Sequence, residues 1–158
     1  MLKKITVLVF VFLILCGCSQ ETKFGVQQFT MRMNEQYETT YETADFIFGT
    51  DNSGERYLFH DGNDGLITLS LDSNNDIKGV SLLINESMDI NEGINTFCII
   101  CCVFTGNDKD TQQKILSDCE INHNTIKYAD SNKVITVGKY KYTIVCNEYS
   151  VTFFCDRV

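Results

Sequence analysis

The sequence predicts an α+β fold with helices packed on one side of an antiparallel sheet, in the order helix, strands, two helices, strands. Three observations carry this. An apolar stripe at helical spacing opens the chain beyond residue 24, and short β-prone runs then alternate with turns rich in Asp, Asn, Ser and Gly. Near the middle, a strongly apolar segment is framed by residues that start and stop helices.

Ahead of these elements, residues 1–17 have the three parts of an export signal. Lys3 and Lys4 supply the positive charge, and residues 5–15 form a largely apolar core. Eleven residues at 1.5 Å each are too few to cross about 30 Å of hydrocarbon as a helix. Polar Ser19-Gln20-Glu21-Thr22-Lys23 follows, so no longer span can be built. The tetrad Leu15-Cys16-Gly17-Cys18 closes the core. It resembles the lipobox of bacterial lipoproteins, with Leu15 three positions before the modified cysteine and Gly17 directly before it. Cys16 fits that role poorly, because bulky Leu15 would precede it.

The resemblance implies that residues 1–17 are removed and that Cys18 becomes an N-terminus carrying a diacylglyceryl group. The chain would then be anchored to the outer face of a bacterial cytoplasmic membrane. Two or more acyl chains hold a protein there stably, at roughly 0.8 kcal/mol per buried CH₂. Residues 18–23 form the anchored tether, whose reach from Ser19 to Lys23 is at most about 18 Å. Residues 24–158 form a single domain. The alternatives are an ordinary signal peptide or a buried N-terminal strand.

Charge narrows the partners. With Lys3 and Lys4 lost with the signal, 11 basic side chains remain against 21 acidic ones, a net charge of −10. Such a surface repels nucleic acid and anionic headgroups alike, so the lipid on Cys18 is the membrane attachment.

The first helix is expected over residues 25–37, where Val26, Phe29, Met33 and Tyr37 share one stripe. Strands follow at 46–48, 56–60, 66–71 and 77–84, separated by the turn clusters 51–54, 61–65 and 72–76. Residues 94–104 allow a buried strand or a helix. Asp89 with Glu92 three later resembles a capping box, and Gly106 marks a stop, so a helix is expected. A second short helix, 110–119, would bury Ile115, Leu116 and Cys119. Further strands are expected at 125–128, 133–137, 140–146 and 150–156. A two-residue turn at Glu148-Tyr149 sets Cys146 opposite Val151. The core face of that hairpin is then Tyr142, Ile144, Cys146, Val151, Phe153 and Cys155.

Six cysteines remain besides Cys16 and Cys18: Cys98, Cys101, Cys102, Cys119, Cys146 and Cys155. Cys98 and Cys101 spell C-x-x-C, but inside an apolar run where burial raises a thiol pKa. A zinc site lacks its second pair, and His60 and His123 lie in unrelated segments. An exported chain with six cysteines also admits disulfides, in 15 connectivities. Cys98, Cys101 and Cys102 share one helical face, so at least two of them would need partners elsewhere. Free thiols facing Cys146 and Cys155 across the core are the preferred reading. The clusters Asp61-Gly62-Asn63-Asp64-Gly65 and Asp72-Ser73-Asn74-Asn75-Asp76 invite calcium, yet strand-like residues follow them at once and turn chemistry accounts for them. No metal ligand, cofactor motif or catalytic residue is assigned, and no Gly-rich phosphate loop or G-x-S-x-G is present.

The expected function is that of a lipid-anchored, non-enzymatic module binding another extracytoplasmic protein or a small ligand. The order of elements also resembles the helix-plus-sheet plan of beta-lactamase inhibitor proteins, and small lipoproteins of Gram-positive anaerobes with no assigned activity. The first of these implies an inhibitor of a secreted hydrolase, with acidic turns at 51–55 and 61–64 entering its cleft. A redox or metal protein using the cysteines is the third alternative.

Overall fold

A computed structural model describes residues 23–63, 65–85, 89–118, 131–147 and 149–158. Cys18 and its tether up to Thr22, the expected strand at 125–128, Cys119 and His123 lie outside the described residues.

Helix α1, Val26–Tyr37, buries Phe29 and Met33 from the expected stripe, and also Thr30. The Gln28 side chain accepts the Gly25 N–H at 3.2 Å, occupying a donor just ahead of the first turn. Glu38, at φ 56°, ends the helix. Asn34 then holds the chain reversal, donating to the Tyr41 carbonyl and accepting from the Tyr41 N–H and the Thr39 hydroxyl.

A 3-10 turn at Thr43–Asp45 precedes the strands, a departure from the expected order. Four strands follow: β1 (Ile47–Thr50), β2 (Arg56–Gly62), β3 (Gly65–Leu71) and β4 (Ile77–Asn85). Helices α2 (Ile90–Thr105) and α3 (Lys109–Asp118) come next, then β5 (Ser131–Val137), β6 (Tyr140–Cys146) and β7 (Ser150–Arg157). All seven strands join one antiparallel sheet in the order β1-β2-β3-β4-β7-β6-β5. The class is α+β.

One device recurs at the sheet turns. Asp51, Asp72 and Asn147 each place a side-chain oxygen on backbone N–H groups two to four residues ahead, fixing the reversal locally. In the last of these turns the register is the expected one, with Cys146 opposite Val151.

Helix α2 begins four residues before the apolar segment, because its start is set by the cap. Asp89 Oδ1 accepts the N–H groups of Asn91 and Glu92. Gly106, at φ 78°, ends it in the left-handed region that favours glycine. The helix lies across the middle of the sheet. Gly93 packs so closely on Ile84 that a Cβ there would come within 2.7 Å of Ile84 Cδ1. Phe97 stacks on Phe153, and Phe104 meets Tyr140 edge-on. Residues Leu69, Leu82, Ile144, Val151 and Phe153 complete this covered face. Phe48, in the expected first strand, is not core, since it stands on an edge strand and is 57 % exposed.

Candidate functional site

The cysteines divide between two environments. Cys101 points to the sheet and shares a hydrogen bond with Cys155 of β7, both thiols being fully buried. Burial first, then that bond, push the Cys101 thiol up. Tyr142 lies in the same cluster, cross-strand from Cys155, and its hydroxyl contacts Gln112 Oε1 at 3.3 Å. Gln112 is wholly buried, and its Nε2 has no hydrogen-bond partner among the described residues. Cys146 is also buried, and none of the five described cysteines is in a disulfide.

Cys98 and Cys102 do not face the sheet cysteines as expected. They are one turn apart on the side of α2 that meets α1, and the Tyr37 hydroxyl completes a cluster with them. The Cys98 thiol and the Tyr37 hydroxyl lie against Cys102, which is itself buried. Their polar contact pulls its thiol down to about 7 against the opposing effect of burial. The same contact pushes Cys98 up, and burial followed by Cys102 pushes Tyr37 up. Cys102 lines a cavity of about 490 Å³ between α1, the end of α2 and the start of α3. Arg32 and Gln36 form one wall, and Asn107, Asp108 and Lys109 form another. Asp108 is committed to capping α3, accepting the Thr111 N–H at 2.8 Å and its hydroxyl at 3.0 Å.

The second feature is the sheet face opposite the helices. Register places its side chains in three cross-strand rows. The middle row runs Ile47, Phe59, Thr68, Ser81, Phe154, Thr143 and Val134 across all seven strands. One flanking row carries Asp61, Leu66, Leu83, Thr152, Val145 and Asn132, and the other carries Tyr57, Ser70, Asp156 and Lys141. Tyr57 lies over Gly49 and Asp156 over Gly79, where a Cβ would overlap each side chain. No described helix covers this face. Its side chains are half-buried by their neighbours, and Ile47 and Val134 at its edges are 59 % exposed.

The acidic turns are split by the sheet. Residues 51–55 and 61–63 lie at opposite ends of β2, roughly 20 Å apart for the six steps along its seven residues at about 3.3 Å each. They cannot enter one narrow cleft together. Turn 51–55 instead neighbours turn 72–76, joined by Arg56 to Asn75 and by Lys78 to Glu55. Among the described residues no group of three His, Cys, Asp or Glu side chains is placed to hold a metal ion. His60 packs between Tyr41 and Phe46, with Nδ1 3.2 Å from the Asp45 carbonyl oxygen.

The described residues include no helix long and apolar enough to cross a membrane. Comparison with known protein families, curated proteins and solved structures finds no match.

Proposed function

We propose that the chain is a lipid-anchored, extracytoplasmic bacterial lipoprotein that acts as a non-enzymatic module binding another protein through its open sheet face. One observation carries this: the described helices lie on one face of a seven-stranded sheet, and its other face is a broad platform of apolar and hydroxyl side chains with Asp61, Asp156 and Lys141 in its flanking rows. At about 4.8 Å per strand and about 6.8 Å per row, the platform measures roughly 34 by 20 Å. That approaches the roughly 800 Å² each partner contributes to a standard protein interface. Small ligands prefer enclosed concave sites, whereas an open sheet face of this breadth suits a protein partner. Hydroxyls of Thr68, Ser81 and Thr143 beside the rings of Phe59 and Phe154 suit a contact that is part apolar and part hydrogen-bonded.

The anchor rests on the Leu15–Gly17 spacing around Cys18. Cys18→Ala should abolish fatty-acid labelling and membrane retention, and Cys16→Ala should leave both intact. For the platform, a photo-crosslinking residue at Ser81 in the anchored full chain should trap a protein partner. The same residue at exposed Lys114 on α3 should not. Equal trapping from the two positions, or none from Ser81, contradicts the reading.

A further inference from the structure

Strand β1 is one end of the sheet, and among the described residues no strand pairs with its outer side. The turn that joins it to β2 fixes which of its backbone groups are free. The Asp51 N–H donates to the Glu55 carbonyl at 3.0 Å, which makes these two a hydrogen-bonded pair. Bonded and non-bonded pairs alternate along an antiparallel ladder. Gly49 with Tyr57 and Ile47 with Phe59 are therefore the bonded pairs of β1. The N–H and C=O groups of Phe48 and Thr50 point away from β2, and no described group bonds to them there.

Sheet edges are ordinarily blunted by a charge, a proline or a bulge. Ile47-Phe48-Gly49-Thr50 has no charged residue and no proline, and its register with β2 is regular. Its one protection is its length of four residues. The opposite edge, β5, carries Lys133 near its middle. Ile47 and Phe48 are both more than half exposed, and alternation puts them on opposite faces of the sheet. A strand added to this edge would lay apolar side chains beside each of them.

Charge selects the occupant. Glu42 and Asp45 stand exposed before β1, and Asp51 stands exposed after it. Arg56 and Lys78, the cations beside this turn, are engaged: Lys78 with Glu55, and Arg56 with Asn75 and the Asp72 carbonyl. His60 turns its Nδ1 to the Asp45 carbonyl oxygen. A second copy paired antiparallel about Phe48 would set Asp45 of each chain against Asp51 of the other, like charge on like. We propose that the β1 edge takes an extended segment of another protein as an eighth strand, with apolar side chains on both its faces and Lys or Arg at its ends. Such a strand bonds to the backbone of Phe48 and Thr50 and brings its cations to Asp45 and Asp51. The edge lies three strands from Ser81, so this docking is independent of the platform.

The probes are a capped hexapeptide, Lys-Thr-Val-Ile-Thr-Lys, and its counterpart with Glu at both ends. Each is added at millimolar concentration to the full chain in detergent, and amide hydrogen exchange is followed residue by residue. The Lys-ended peptide should slow exchange at Phe48 and Thr50 at least about fivefold, with little change at Ile47 and Gly49. The Glu-ended peptide should bind about tenfold more weakly. Thr50→Pro deletes one outward N–H and keeps the bonds to β2, so it should remove the protection at Phe48. Phe48→Lys, a change at an exposed side chain, should weaken the Lys-ended peptide with Tm unchanged. No slowing at Phe48 and Thr50, equal slowing by the two peptides, or full binding by both variants would overturn the proposal. Slowing at the same two amides without peptide, growing with chain concentration, would assign the edge to a second copy and overturn it as well. None of these outcomes bears on crosslinking from Ser81, which reads the sheet face.

Discussion

Phe97 of α2 stacks on Phe153 of β7, with ring centroids 5.1 Å apart and planes 24° from parallel. Both rings are almost wholly buried, and the pair joins the central helix to the middle of the sheet. Phe97→Ala should cost about 3–5 kcal/mol in denaturant unfolding, since it removes a large buried ring and leaves a cavity. That is a large share of the roughly 5–15 kcal/mol typical of a domain. A loss below about 1 kcal/mol would show that α2 is not docked as described.

The polar contact between Gln112 and Tyr142 sits in the same core. Gln112 Nε2 is buried without a partner among the described residues, which is costly in an apolar setting. Replacing both residues, as Gln112→Met with Tyr142→Phe, should leave stability unchanged or raise it by about 1 kcal/mol. Gln112→Met alone should be worse than the pair, because the Tyr142 hydroxyl loses its acceptor. A double variant clearly less stable than the single one would contradict this.

Asp156 supplies the pH dependence. Burial over Gly79 lifts its carboxyl above the ordinary range, with Lys141 and Lys78 opposing the lift. The folded state therefore holds this proton to higher pH than the unfolded one does. Stability from this group is highest in acid and falls as pH rises through the interval between the two pKa values. Asp156→Asn should raise Tm at pH 7 and change it little below about pH 4. A lower Tm at pH 7 would assign Asp156 a favourable ion pair instead.

The acidic turns should not bind calcium. Asp51 Oδ1 already accepts the Ser53 N–H and hydroxyl and the Glu55 N–H, and Asp72 Oδ1 accepts those of Asn74 and Asp76. Millimolar calcium should leave the Tm of the full chain unchanged, because a ligand of the native state must stabilise it. A rise of several degrees with calcium and none with magnesium would contradict the turn account.

Local signals made much of this fold legible in the sequence. The last hairpin was fixed by alternation and turn length, so Tyr142, Ile144, Cys146, Val151, Phe153 and Cys155 all point inward as expected. Helix α2 was marked by Asp89 and Gly106, whose capping acts within a few residues. What spacing could not disclose is which distant elements meet. The i, i+4 relation of Cys98 and Cys102 was plain. Tyr37 reaching the same sulfur from 65 positions away was not, and it turns that side of α2 from a packing face into a cavity wall. The open platform was equally hidden. Alternation separates two faces of a strand, but only the placement of the helices decides which one is left uncovered. The separation of the acidic turns was hidden too, since a single strand sends successive turns to opposite ends of the sheet.

The central claim is that the uncovered sheet face is the binding surface. Ser81→Lys and Thr143→Lys each put a charge into its middle row without touching the core face. In the membrane-anchored full chain, each should reduce recovery of the protein crosslinked from the platform at least about tenfold, the scale of a disrupted interface centre. Tm should stay within a few degrees of the unsubstituted chain. Full recovery of that partner by both variants, at unchanged Tm, would contradict the account.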